Sequence, residues 1–375
     1  MKKLIIFILL VFILIPKVNA EELLQNARNG ILIEEKTGEI LYEKNKDERV
    51  SVASLTKMMV QIIVLEKIES GEIKWTDIVT ASKNASGMGG TQIWLSTGEK
   101  MSVEDLFKGM SIASANDATV ALAEYISGSE SEFVKLMNDK VKKMGLKNTN
   151  YKNCTGLDEK DHYSSAHDLA LIARELLKHK EILRFSSVYE DYIRVDTPNK
   201  YWLVNTNKLV RFYEGADGLK TGFTDDALYT MAVTAKRDNL RLIGIILGEK
   251  EGKVRNQEAM ELLDYGFDNY KVDVLKKENE VVDTIDIEKG DKNKVDIVLK
   301  EDLIVLSKKI DKSINYDYEI DLNEIKLPLK KKDTVGKIKL LNNGKVIKEN
   351  DLAVNDDVNK IGYFKYIFKR LKEIF

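Results

Sequence analysis

The sequence predicts an α/β domain in which an antiparallel sheet is split by a long helical insertion, followed by a small all-β domain and a C-terminal amphipathic helix. Three observations carry this. Strand-like alternation stands at both ends of residues 21–271, with helical patterns between. From Val272 to 355 the chain turns to short alternating runs rich in lysine and acids. In the last 18 residues, Ile361, Phe364, Ile367, Phe368, Leu371, Ile374 and Phe375 gather on one side of a helical wheel, within an arc of roughly 140°.

The elements follow in chain order. Residues 1–20 read as a targeting segment: Lys2 and Lys3, an apolar run from Leu4 to Ile15, then Val18-Asn19-Ala20 as a small-residue cleavage site. That run is shorter than the roughly 20 residues a membrane-crossing helix needs, so cleavage is expected rather than a retained span. Gly30 to Lys44 reads as a hairpin around Gly38, and Leu55 to Ile73 as a buried helix with Ser54 in its first turn. A capped helix opens at Ser102, and Ser114 to Asn116 forms a joint before an alanine-rich helix that ends at Gly128. Helices at Ser131–Met144 and Ser165–His179 come next. Apolar strands at Tyr229–Ala235 and Leu240–Leu247 precede a helix from Gln257 to Tyr270.

Composition narrows the function. Removing residues 1–20 takes away three lysines and no acids and moves the net charge from −2 to −5, which argues against nucleic acid as a partner. The lone cysteine, Cys154, can form no internal disulfide and reads as a small buried residue. The tail is the exception in charge: five basic residues against Glu373 give its 18 residues +4, and residues 356–375 read as a helix lying on a membrane surface.

Ser54-Leu-Thr-Lys57 places a hydroxyl and an amine three residues apart, on one helical face. Serine needs a neighbouring base to become a nucleophile. Lysine can be that base if burial or a second cation lowers its pKa. Leu55, Met58 and Met59 offer burial, and Lys220 offers the cation. Alone the pattern is weak, but Ser114-Ala-Asn116 and Lys220-Thr-Gly222 follow in the order known for penicillin-binding proteins and β-lactamases. Lys36-Thr-Gly38 and Ser82-Lys-Asn84 spell the same motifs but stand in a hairpin turn and a glycine-rich stretch. Arg194 and Asp196 read as solvated charges.

With Gly90-Thr-Gln-Ile-Trp-Leu95, Gly156-Leu-Asp158, His162-Tyr-Ser164 and Gly215 to Thr224 added, the chain resembles the low-molecular-mass D-alanyl-D-alanine carboxypeptidases over essentially its whole length. The resemblance implies a penicillin-binding/β-lactamase-like transpeptidase fold and a peptidoglycan pentapeptide substrate. β-Lactams would be inhibitors that acylate the same serine, and neither cofactor nor metal is implied. Ser54 would be the nucleophile, Lys57 its base and Ser114 a proton relay. Asn116 would bind the substrate amide, Lys220 and Thr221 its terminal carboxylate, and Gly222 would let the peptide lie against the strand. It also implies an exported protein held at the outer face of the cell membrane. Two positions depart from the pattern: Leu228 stands where glycine is common and Cys154 where proline is common. A β-lactamase is disfavoured because no Glu-x-x-Leu-Asn segment lies between Ser114 and Lys220. The same motif side chains could also serve an idle penicillin-binding scaffold or an endopeptidase.

Overall fold

The computed structural model describes residues 23–311 and 316–374, so the targeting segment at 1–20 and the terminal Phe375 lie outside it. The chain divides into two compact units: residues up to Lys236 with Arg241–Tyr265, and Arg237–Leu240 with the chain from Gly266 onward.

The first unit is built on a five-stranded sheet, whose strands run in the order Ile40–Lys44, Asn29–Glu34, Leu240–Glu249, Leu228–Arg237, Ala216–Thr224. Asn29–Glu34 pairs antiparallel with Leu240–Glu249, so strands from both ends of the unit meet at its centre and the helices between them form an insertion. Their apolar runs are buried on both faces, as in Ile31, Leu32, Ile243, Ile245 and Ile246. Helix Lys57–Glu69 lies within the insertion, and every residue from Lys57 to Leu65 is buried. That accounts for a sequence apolar on most of its faces.

Serine caps set several other helix starts. Ser102 accepts from Asp105 N at 3.1 Å to open Val103–Ile112, and Ser165 accepts from Asp168 N at 3.2 Å to open Ala166–Lys178. The helix expected from Ser131 is Glu130–Lys143, because Ser129 rather than Ser131 supplies the cap. The helix after strand Leu240–Glu249, Gly252–Asn269, begins five residues before the expected Gln257. Two short strand pairs, Ile78–Thr80 with Lys100–Ser102 and Glu190–Ile193 with Tyr201–Val204, escape the sequence reading. Leu228, where the resemblance leads one to expect glycine, adopts a φ of 56°, the left-handed region in which glycine is unstrained.

The second unit is all-β apart from its last helix. One sheet runs in the order Val281–Asp286, Lys294–Leu299, Lys345–Val354, Thr334–Asn342, Asp317–Leu322, and Tyr270–Lys276 pairs with Leu303–Lys308. Ile297, Leu299, Ile338, Leu340, Leu352 and Val354 form its core. Asn343 and Gly344, both at positive φ, turn the hairpin that their sequence signals. Helix Tyr363–Ile374 closes the described chain. Among the described residues no helix is long and apolar enough to cross a membrane.

Candidate active site

A cleft of about 600 Å³ opens in the first unit, and Ser54, Ser114, Asn116, Thr221 and Gly222 line it. The motifs, 60 or more residues apart in sequence, converge there from three elements. Ser54 sits on the 3₁₀ turn Ala53–Thr56 that leads into helix Lys57–Glu69. Ser114 and Asn116 flank the start of helix Asn116–Ser127, and Lys220 to Gly222 lie on the edge strand Ala216–Thr224.

Lys57 and Lys220 stand behind the cleft wall, 0% and 1% exposed. The Lys57 ammonium donates to Ser54 Oγ at 2.8 Å and to Thr155 O at 2.7 Å. Burial pulls its pKa down to about 7, so near neutrality it is half in the form that can accept a proton. Of the two causes that could lower it, burial is the one at work. The second-cation effect runs the other way: burial first, then the charges of Lys57 and Arg255, hold Lys220 well below the ordinary lysine range. Lys220 does not line the cleft, and its ammonium donates to Thr221 O at 2.9 Å.

Backbone strain and close approach concentrate around the nucleophile. Ala53, directly before Ser54, has φ 48°, and Ser114 has φ 66°. Gly156, at φ 85°, packs so tightly that a Cβ there would fall 1.9 Å from Ala53 O. A Cβ at Gly222 would fall 2.9 Å from both Ser54 N and the Ala53 side chain. The glycine of the third motif therefore serves the contact between edge strand and nucleophile turn, besides leaving the cleft floor open. Asn116 is fixed by donating from Nδ2 to Gly89 O at 2.7 Å.

Residues 17–251 match the protein family described as D-alanyl-D-alanine carboxypeptidase. The chain belongs to this family. Residues 270–360 of this family member match a second description, penicillin-binding protein 5, C-terminal domain. The chain is 42% identical to the D-alanyl-D-alanine carboxypeptidase DacF of Bacillus subtilis, over 92% of this chain and 89% of that protein. Penicillin-binding protein 5 of Haemophilus influenzae superposes with a TM-score of 0.73 at 33% identity, covering 89% and 98% of the two chains. Penicillin-binding protein D2 of Listeria monocytogenes, solved in an ampicillin-bound form, gives 0.58 at 32% identity over 64% and 98%.

Two charged residues of this carboxypeptidase family member go beyond the sequence reading. Arg255, on helix Gly252–Asn269, lines the cleft; burial lowers its pKa to about 10, and Nη1 reaches Thr230 O at 3.4 Å. A signal for it exists: Arg255 shares a helical face with buried Ala259 and Leu262. Arg194 is not the solvated charge its sequence suggests. Its Nε donates to Glu99 at 2.7 Å and its Nη1 to Ile93 O at 2.9 Å, bracing the segment that follows Gly90; Asp196 is exposed.

His162 stays outside the cleft lining. Its Nδ1 accepts from Lys152 N at 3.2 Å, which puts the proton on Nε2, 2.8 Å from Thr56 Oγ1. It thus braces the turn that holds Ser54, and burial lowers its pKa to about 4. Lys36-Thr-Gly38 and Ser82-Lys-Asn84 are both absent from the lining. Thr37 bonds Glu34 within its hairpin, and Ser82 caps the short helix Lys83–Ser86. Cys154 is fully buried against Glu130.

Proposed function

We propose that Ser54 is the acylated nucleophile of a D-alanyl-D-alanine carboxypeptidase acting on peptidoglycan stem peptides. The observation that carries this reading is the 2.8 Å contact between Ser54 Oγ and a buried amine held near pKa 7. Ser54 Oγ attacks the carbonyl carbon between the two D-alanines while its proton passes to Lys57 Nζ. The tetrahedral adduct collapses, the C–N bond breaks, and the proton reaches the departing amine through Ser114. Water then hydrolyses the ester and restores Ser54. Asn116 holds the peptide amide. Thr221 and Arg255 take the terminal carboxylate from the cleft wall, with Lys220 buried behind them, which explains selection of a C-terminal residue. The test is the intact mass of the protein after benzylpenicillin, read beside D-alanine release from a diacyl-Lys-D-Ala-D-Ala peptide. An adduct with release supports the reading. An adduct without release points to a scaffold or an endopeptidase, and rapid penicillin turnover to a β-lactamase. Ampicillin, which the Listeria relative binds, is expected to acylate Ser54 here.

The base also sets a pH profile. Lys57 must be neutral to accept a proton, so the second-order rate of acylation by penicillin should climb about tenfold per pH unit below its pKa and level off above about 7. A rate that is flat through neutrality removes Lys57 as the base.

Export and membrane attachment belong to the same proposal, since peptidoglycan lies outside the cytoplasm. The C-terminal helix supports the attachment: Phe364 and Phe368 are 79% and 68% exposed, and Ile367 and Leu371 are exposed beside them. An apolar face of this kind left open to water marks an interaction site. Deleting residues 361–375 should free the protein from the membrane fraction and leave activity on a soluble peptide intact. Retention of the truncated chain would place the attachment elsewhere.

A further inference from the structure

Helix Lys57–Glu69 ends in Glu66 and Glu69, and helix Ala166–Lys178 ends in Glu175 with His179 as its C-cap. One ligand atom from each of Glu66, Glu175 and His179 lies within 4.8 Å of the other two. Glu69 already takes His179 Nδ1, with both carboxylate oxygens at 2.9 Å. The other nitrogen, Nε2, is buried and has no hydrogen-bond partner among the described residues, in a side chain whose residue is only 8% exposed. A buried polar atom without a partner calls for an explanation. A carboxylate that fixes one imidazole nitrogen and leaves the other free is the arrangement that orients a metal-binding histidine. Glu175 and His179 stand four residues apart, so they share one helical face.

We propose that Glu66, Glu175 and His179 bind one divalent transition-metal ion, with zinc the best match, and that Glu69 positions the imidazole. A set of one nitrogen and carboxylate oxygens suits zinc and leaves a fourth position for water. The carboxylates are now balanced by lysines: the Lys140 ammonium pairs with Glu66, and Lys178 pairs with Glu175 Oε2 at 2.7 Å. The side chain of Lys140 is 10% exposed, so its charge competes with an ion from inside the cluster. Glu66 lies twelve residues from Ser54, roughly 18 Å along a helix, which makes the site structural. The ion ties helix Lys57–Glu69, which follows the nucleophile turn, to Ala166–Lys178 at the end remote from the cleft.

The test is calorimetric titration of zinc chloride into the chelator-treated full chain, with melting temperature followed in parallel, for wild type, His179→Gln, Glu69→Gln and Lys140→Met. We expect one zinc per chain and a raised Tm in the wild type, and loss of both in His179→Gln. Affinity should fall about tenfold or more in Glu69→Gln and tighten in Lys140→Met, which removes the competing ammonium. Penicillin adduct formation reports folding of each variant; if His179→Gln fails to fold, the opposite shifts of Glu69→Gln and Lys140→Met decide the matter. No saturable zinc binding in either wild type or Lys140→Met reduces the cluster to an ion-pair network. Undiminished uptake by a folded His179→Gln places the ion elsewhere. Either result overturns the proposal.

Discussion

Ser54→Ala should abolish the penicillin adduct in the intact mass and lower kcat/KM for D-alanine release by about four orders of magnitude or more, the scale at which a serine nucleophile's loss is felt. The fold should survive. Ser54 is only partly buried, and the bond its Oγ accepts from Lys57 is the one interaction the change removes from that ammonium, which keeps Thr155 O at 2.7 Å. A melting temperature within a few degrees of wild type, alongside complete loss of the adduct, separates chemistry from stability. A Ser54→Ala protein that still gains the mass of penicillin has its nucleophile elsewhere, and the cleft would need another assignment.

The parts of this site legible in the sequence are those set by local geometry. A hydroxyl and an amine three residues apart share a helical face whatever surrounds them, and Ser54 and Lys57 meet at 2.8 Å on a turn leading into a helix. The joint at Ser114 is legible because a polar Ser-Ala-Asn interrupts two apolar helical runs. What stays hidden depends on distant partners. Arg194 looks like a surface charge until Glu99, 95 residues away, meets it at 2.7 Å. Arg255 falls before the expected start of its helix, so its place on a buried face goes unread. The direction of the charge effect between Lys57 and Lys220 is equally illegible, because it depends on which amine the fold buries among which neighbours. His162 and His167, the histidines close together in sequence, lie apart from the cluster around His179, whose members come together only when two helix ends converge.

Lys57→Met should lose acylation while gaining stability, and this opposition follows from burial itself. The general base contributes about 10²–10⁴-fold to such a step, so the acylation rate should fall on that scale. For stability the pKa supplies the sign. Lys57 titrates at about 7 in the folded protein against 10.5 ordinarily, so the folded state resists protonation that the unfolded chain accepts. Near pH 7 that difference opposes folding by about 4 kcal/mol. Methionine removes it, while leaving Thr155 O and Ser54 without their donor takes back about 1–3 kcal/mol. The net gain is of order 1–3 kcal/mol, read by calorimetry as several degrees in the first unit's transition. Its pH dependence is the decisive part. At and below about pH 7 the penalty in the wild type is full; as pH rises from there toward 10.5 the unfolded chain sheds the same proton and the penalty fades. The advantage of Lys57→Met should therefore be largest near or below neutrality and shrink steadily in alkali. A variant that is less stable than wild type at pH 7, or whose difference does not change with pH, would mean that Lys57 is not the buried, proton-shedding amine that the catalytic reading requires.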